Sequence, residues 1–269
     1  MNFNVMSHQK IYSYSQINTY NSCPEQYKLS YIDRIRKADE SVEAFMGNRV
    51  HEVLEWVFKE RKSKFTTFDK LTAKYDELWL NAWHDKIYIA DPRVNTDHLY
   101  TIGLRCLGNF CTTYGPLFDA PVYATELKLE FEVEGYKFRG ILDRVDKTLD
   151  EELIITDYKT SKRAKGERAA KSDMQLGLYY IAAQQNFGDI TQISIGWDFL
   201  RHNKRVQIQP EEISIERIKK QVVRRIQKIE SNINEGHSFF PKESILCHWC
   251  YYWKECSAKS ISNPARSAR

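Results

Sequence analysis

Residues Gly135–Lys159 read GYKFRGILDRVDKTLDEELIITDYK, and the reading of this stretch decides the fold. Two strand-like runs, Tyr136–Val145 and Glu152–Tyr158, flank a polar turn holding Asp146, Lys147 and Asp150. Asp143 comes near the end of the first run. Asp157 and Lys159 end the second at i, i+2, so a strand points both to one face. Pairing the runs as a hairpin then gathers two carboxylates and an ammonium. Crowded carboxylates raise each other's pKa unless a cation stands between them. D-x-K by itself reads as a surface tripeptide, because charged residues are mostly exposed. Here it follows Leu153-Ile154-Ile155, an apolar run with the character of a buried strand. The exit of such a strand is where α/β proteins often place their sites. A carboxylate pair beside a lysine suits metal-assisted hydrolysis of a phosphodiester.

The pattern G-I-L-D (140–143) followed by I-I-T-D-Y-K (154–159) resembles the PD-(D/E)XK nuclease superfamily, in its RecB-like branch. Other stretches carry the resemblance along the chain. Ser41–Arg61 reads as an amphipathic helix with Val50, Leu54 and Val57 on its apolar stripe. Inside it, His51 and Glu55 share a face at i, i+4. Read locally, this is a half-buried histidine with a surface glutamate; the G-x-x-x-H-x-x-L-E pattern is similar to the first RecB-like motif, where the histidine is a metal ligand. Asp173–Asn186 reads as a helix with Gln175 and Tyr179 on one face, similar to the Q-x-x-x-Y motif that orders the site and the DNA in that family. Family members often carry a glutamate on the strand Tyr123–Val133. Glu126 is the candidate, with Glu130, Glu132 and Glu134 competing.

The resemblance implies an α/β, restriction-endonuclease-like fold, a mixed central sheet flanked by helices. It implies an N-terminal helical region (1–120), a nuclease core (121–235) and a C-terminal iron–sulfur segment with a loose tail after Ser257 (236–269). It further implies that His51, Asp143, Asp157 and the Tyr158 carbonyl hold Mg²⁺ or Mn²⁺, and that Lys159 orients the attacking water. Imidazole suits manganese better than magnesium. The implied activity is a deoxyribonuclease, an exonuclease acting on single-stranded DNA or DNA ends.

The cysteines are read in the same two ways. Cys23, beside Pro24, looks structural from its position alone. Cys247, Cys250 and Cys256 form C-x₂-C-x₅-C, one ligand short of a four-thiolate site. This one-plus-three arrangement looks like the iron–sulfur RecB-like nucleases, such as the AddB nuclease domain and the CRISPR-associated adaptation nuclease. There four such cysteines hold a [4Fe–4S] cluster; zinc in the same thiolates is the alternative. Cys106 and Cys111 lie on different faces of a helix and read as free thiols.

Composition sets the remaining bounds. A chain of 269 residues, 42% apolar and 13% aromatic, buries a full core. A formal charge of +4 permits a polyanionic partner without demanding one. No run approaches the roughly 18 apolar residues of a membrane span, and no signal-peptide core opens the sequence, so a cytoplasmic protein is expected. Five basic residues between Lys162 and Lys171 follow the D-x-K and are placed to hold DNA backbone. Arg217–Lys228 offers a second basic face. The implied partners are DNA and proteins of recombination or CRISPR adaptation, and an adaptor role within such a complex is the competing function.

Overall fold

The hairpin read from the sequence is the middle of a six-stranded sheet. The computed structural model describes residues 10–59, 66–91, 93–236 and 238–258. Most of the frayed start and of the loose tail expected from the sequence lies outside the described residues. β1 (Ile11–Tyr12) begins the sheet, and a separate parallel pair joins β2 (Glu40–Ser41) to β3 (Ile87–Tyr88). β4 (Val122–Val133), β5 (Tyr136–Lys147) and β6 (Glu152–Lys159) follow, and β7 (Gln192–Phe199) and β8 (Lys204–Ile208) complete it. β5 runs antiparallel to β4 and β6, β6 parallel to β7, and β7 antiparallel to β8, so the sheet is mixed as expected.

β5 is the strand that positions the site. Lys137 and Phe138 pair with both β4 and β1, whereas Arg144, Val145 and Asp146 pair with both β4 and β6. β1 and β6 therefore share the edge of β5 opposite β4. Between them, no described strand pairs with residues 139–143 on that edge.

Helices cover both faces. α1 (Tyr14–Ser22), α2 (Pro24–Tyr27), α3 (Val42–Lys59), α4 (Phe68–Ala82) and α5 (Thr96–Tyr114) come before the hairpin. α6 (Glu167–Ala170), α7 (Met174–Asn186) and α8 (Glu212–Asn234) come after it. One core joins β1, β4–β8, α7 and α8; the other joins α3, α4 and α5 beneath Tyr158 and Leu200. The stripe Ile215, Ile218, Val222, Ile226 and Ile229 on α8 is buried as its spacing predicts. α7 fits against it because residue 177 is glycine: a Cβ there would stand 2.4 Å from Ile218 Cδ1. None of the described helices is long and apolar enough to cross a membrane.

Local differences from the sequence reading have local causes. The α1 cap is Ser13, whose hydroxyl accepts the Gln16 N–H, in place of Ser15. The helix opened by Pro24 widens into a π-turn over Lys28–Ile32. α8 starts at Glu212, two residues before the Ser214 expected to cap it.

Candidate active site

Asp143 sits where the β5–β6 ladder opens. The last pair is Arg144 with Thr156, and the antiparallel register sets Asp143 across from Asp157 on one face. The next N–H, that of Tyr158, leaves the ladder and donates to Asp143 Oδ2 at 2.8 Å. α3 passes close by because residue 47 is glycine; a Cβ there would meet Thr160 Oγ1 at 3.2 Å. One turn later His51 brings its Nδ1 to 3.6 Å from Asp143 Oδ2.

The third group arrives by backbone strain. Glu126 has φ +48° inside β4, a left-handed conformation that costs a non-glycine residue about 1–3 kcal/mol. The pairs Thr125–Arg144 and Leu127–Leu142 set it opposite Asp143. His51, Glu126 and Asp143 each offer one ligand atom, all within 4.8 Å of one another. Of the four glutamates considered on this strand, Glu126 is the one drawn in. Glu130, Glu132 and Glu134 are exposed, and Glu130 pairs with Arg139 at 2.6 Å. Glu55, on the His51 face, is held by Lys59 at 2.5 Å.

Asp157 lies beside this trio but outside the 4.8 Å group. It is 2% exposed, and Lys159 Nζ stands 2.5 Å from its Oδ2 as an ion pair. The approach falls outside hydrogen-bond geometry, so Oδ2 is a buried acceptor without a hydrogen bond. Lys159 donates instead to Gln175 Oε1 at 3.1 Å, and Gln175 Nε2 donates to Tyr179 Oη at 2.9 Å. The Q-x-x-x-Y pair thus orders the lysine from α7.

The electrostatics are those of a site short of positive charge. Burial, with Asp143 adding to it, pushes the Asp157 carboxyl up to about 7 against the pull of Lys159 and His51. Burial raises Asp143 to about 6 against the Tyr158 N–H and Lys159. Glu126 is raised by burial and by Asp143. Burial lowers His51 although Asp157, Glu126 and the Tyr158 backbone pull upward. For Lys159 burial works downward, but Asp157 and Asp143 outweigh it and hold the ammonium above its usual range. Three deprotonated oxygens and a neutral imidazole converging here suit a divalent cation.

A stability test follows. A carboxyl whose folded pKa exceeds its unfolded value makes the folded chain the better proton binder. Metal-free stability is then full below about pH 4 and falls as the pH rises through the folded pKa near 7. Asp157→Asn is expected to raise the melting temperature of EDTA-treated protein at pH 8 by on the order of 5 °C, and hardly at all at pH 4. Equal melting temperatures of variant and wild type at both pH values, read by circular dichroism, would contradict this.

Two supporting residues escaped the sequence reading. Asp146 was read as a turn residue, but it lies within β5, 2% exposed, and takes a bidentate grip from Arg144 at 2.8 and 2.7 Å. The Arg144 guanidinium lies between the Phe58 and Tyr114 rings, at 4.9 and 4.5 Å, and reaches Tyr158 Oη at 3.5 Å. Strand alternation puts Arg144 and Asp146 on the face opposite Asp143. They steady Tyr158 from behind, and its N–H steadies Asp143. The only signal in the sequence was the i, i+2 spacing of two opposite charges.

At the other end of the molecule, Cys23, Cys247, Cys250 and Cys256 line one cavity of about 270 Å³ between α1, α2 and the C-terminal segment. The Lys242 and Ser244 N–H groups point to Cys23 Sγ and Cys247 Sγ, each at 3.4 Å. A Tyr252 backbone hydrogen bond works to lower the Cys250 thiol, which burial pushes up to about 11. No three of these sulfurs lie within 4.8 Å of one another. Cys106 is buried on α5 and Cys111 is half-buried there.

The sequence matches the PD-(D/E)XK nuclease superfamily over residues 11–257. The chain belongs to this superfamily. Relatives of this PD-(D/E)XK protein include the Gene 69 protein of Mycobacterium phage D29, 29% identical over 201 residues, or 65% of this chain and 70% of that one. An ATP-dependent helicase/deoxyribonuclease subunit of Carboxydothermus hydrogenoformans is 24% identical over 87% of this chain; the match spans 25% of that much longer protein. Among solved structures, a "Putative exonuclease" from Eubacterium rectale matches with a TM-score of 0.54 at 12% identity, covering 97% of this chain and 93% of that one. That likeness supports the restriction-endonuclease-like fold of the PD-(D/E)XK chain.

Proposed function

We propose that this PD-(D/E)XK protein is a Mg²⁺- or Mn²⁺-dependent deoxyribonuclease acting on single-stranded DNA or DNA ends. The observation that carries the reading is the convergence of His51, Glu126 and Asp143 beside Asp157 and Lys159. The residues fit a divalent ion: Asp157 Oδ2 is buried without a hydrogen bond, and the carboxyls are crowded enough to hold protons near neutrality. His51, Glu126, Asp143, Asp157 and the Tyr158 carbonyl would hold it. An ion there supplies an acidified water and charge neutralisation at the scissile phosphate. Lys159, aligned by Gln175 and Tyr179, offers its ammonium to the charge that builds on the phosphoryl oxygens. Tyr158 and Arg144 keep Asp143 from turning away.

The four-cysteine cavity fits a [4Fe–4S] cluster better than zinc. A tetrahedral zinc thiolate site needs its sulfurs about 3.8 Å apart, from a Zn–S bond of about 2.3 Å. These sulfurs are more widely spread around a roomy cavity, and backbone N–H groups already face them, as suits cluster ligands. Its role is to clasp the chain ends.

A second reading, membership of a recombination complex, draws support from the match to part of a helicase/deoxyribonuclease subunit. Exposed Lys162, Arg163 and Arg168 beside the site remain suited to DNA backbone, whereas Lys165 and Lys171 are engaged by Asp173 and Glu211. Purified protein incubated with Mn²⁺ and end-labelled single- and double-stranded DNA tests the main reading. Cleavage that EDTA stops is the expected result, and binding without cleavage favours the adaptor.

A further inference from the structure

The unpaired edge of β5 has a spatial consequence for the substrate. Arg139, Gly140, Ile141 and Asp143 line a cavity of about 720 Å³ that occupies the gap between β1 and β6. Its walls are the first turn of α1, including Tyr14 and Gln16, and Gln175 and Tyr179 of α7. A second cavity, of about 860 Å³, lies along α3 and reaches Lys59, Lys128 and Thr160. Asn48, Glu126 and Asp143 belong to the lining of both. The metal-ligand trio therefore stands at the junction of two open spaces rather than at the bottom of one.

We infer that the two cavities are halves of one trough and that a single strand of DNA lies through it, so that this nuclease cuts internal phosphodiesters and needs no strand end. The inference rests on the nuclease reading above and goes beyond it in the mode of cleavage. A site built for ends alone closes behind the scissile phosphate; here each side of Asp143 has room for chain. Each cavity falls in the size range of sites that take a drug-sized ligand, about 300–1,000 Å³. The partners along the trough suit a strand with its bases splayed. Tyr14 is half-buried at the rim, close enough to Asp157, Lys159 and Arg225 to feel their charges, and its hydroxyl has no hydrogen-bond partner among the described residues. An aromatic face beside a cationic rim is how sequence-tolerant single-strand sites hold bases. In the second cavity, Glu52 and Glu55 are already offset by Arg49 and Lys59, each at 2.5 Å, which lessens repulsion of the passing backbone. α1 and α3 stand on opposite sides of the trough, which leaves room for one strand and none for a stacked duplex.

The test uses the full chain with Mn²⁺ and three internally labelled substrates: a covalently closed single-stranded circle, the linear strand of the same sequence, and a closed duplex circle. Asp143→Ala protein prepared in parallel controls for contaminating nucleases. The single-stranded circle should be cut within about tenfold of the rate of the linear strand, with the duplex circle left intact. Degradation of the linear strand with the single-stranded circle untouched would overturn the through-trough while leaving the nuclease reading standing. Failure to cut either single-stranded substrate would remove both.

Discussion

Asp143→Ala is expected to lose at least about a thousandfold in cleavage rate while binding DNA as well as wild type or better. Asp143 is the residue on which the site turns. It lies across from Asp157, accepts the Tyr158 N–H at 2.8 Å and meets His51 Nδ1 at 3.6 Å. Removing it takes away one ligand and loosens the other two. Binding should not suffer, because the affinity comes from cationic groups and the site is over-supplied with negative charge. The carboxyls at about 6 and about 7 record that excess, and deleting one lowers repulsion of the phosphate. Filter binding in Ca²⁺ beside cleavage in Mn²⁺ separates the two effects. Cleavage by the variant at the wild-type rate would place the chemistry elsewhere.

Cys23→Ser is expected to cost the protein its brown colour and on the order of 10 °C in melting temperature. Cys23 joins α1 to α2, and its three companion thiols lie more than 220 residues away in sequence. A clasp that closes a loop of this length removes much of the freedom of the unfolded chain. The two ends are also joined by Tyr252 Oη donating to the Ile35 carbonyl at 2.9 Å, by Tyr88 Oη donating to the Trp249 carbonyl at 2.7 Å and by the Lys37–Glu255 ion pair at 2.5 Å. These contacts need the segment held in register, so they should loosen with the cluster. Anaerobically purified wild type should carry about four irons per chain. Cys111→Ser, half-buried on α5 and away from the cavity, should keep both iron and colour. Colourless protein with one zinc would replace the cluster and keep the clasp; a brown, stable Cys23→Ser protein would remove both.

Much of the site was legible because its residues follow local periodicities. The i, i+2 spacing of Asp157 and Lys159 and the i, i+4 spacing of Gln175 and Tyr179 each fix a shared face before any tertiary contact is known. The α8 stripe was legible for the same reason. What escaped depends on register and closure. Ile11–Tyr12 is too short to show an alternation, yet it creates the gap along β5. Asp146 looked like a turn residue because a charge in the interior is rare, and only the Arg144 grip makes its burial tolerable. Glu126 had three rivals on its strand; the left-handed φ that turns it inward leaves no mark in the sequence.

The most direct measurement is single-turnover cleavage of end-labelled single-stranded DNA in Mn²⁺ by wild type and by Lys159→Ala. Lys159 touches Asp157 and Gln175 but belongs to no metal-ligand group, so its loss should spare the binding of Mn²⁺ and of DNA while depriving the transition state of its ammonium. EDTA-sensitive cleavage by wild type, with a loss of about a hundredfold or more in the variant at unchanged DNA affinity, is the predicted result. Equal rates for the two proteins, or no metal-dependent cleavage by wild type, would contradict the account.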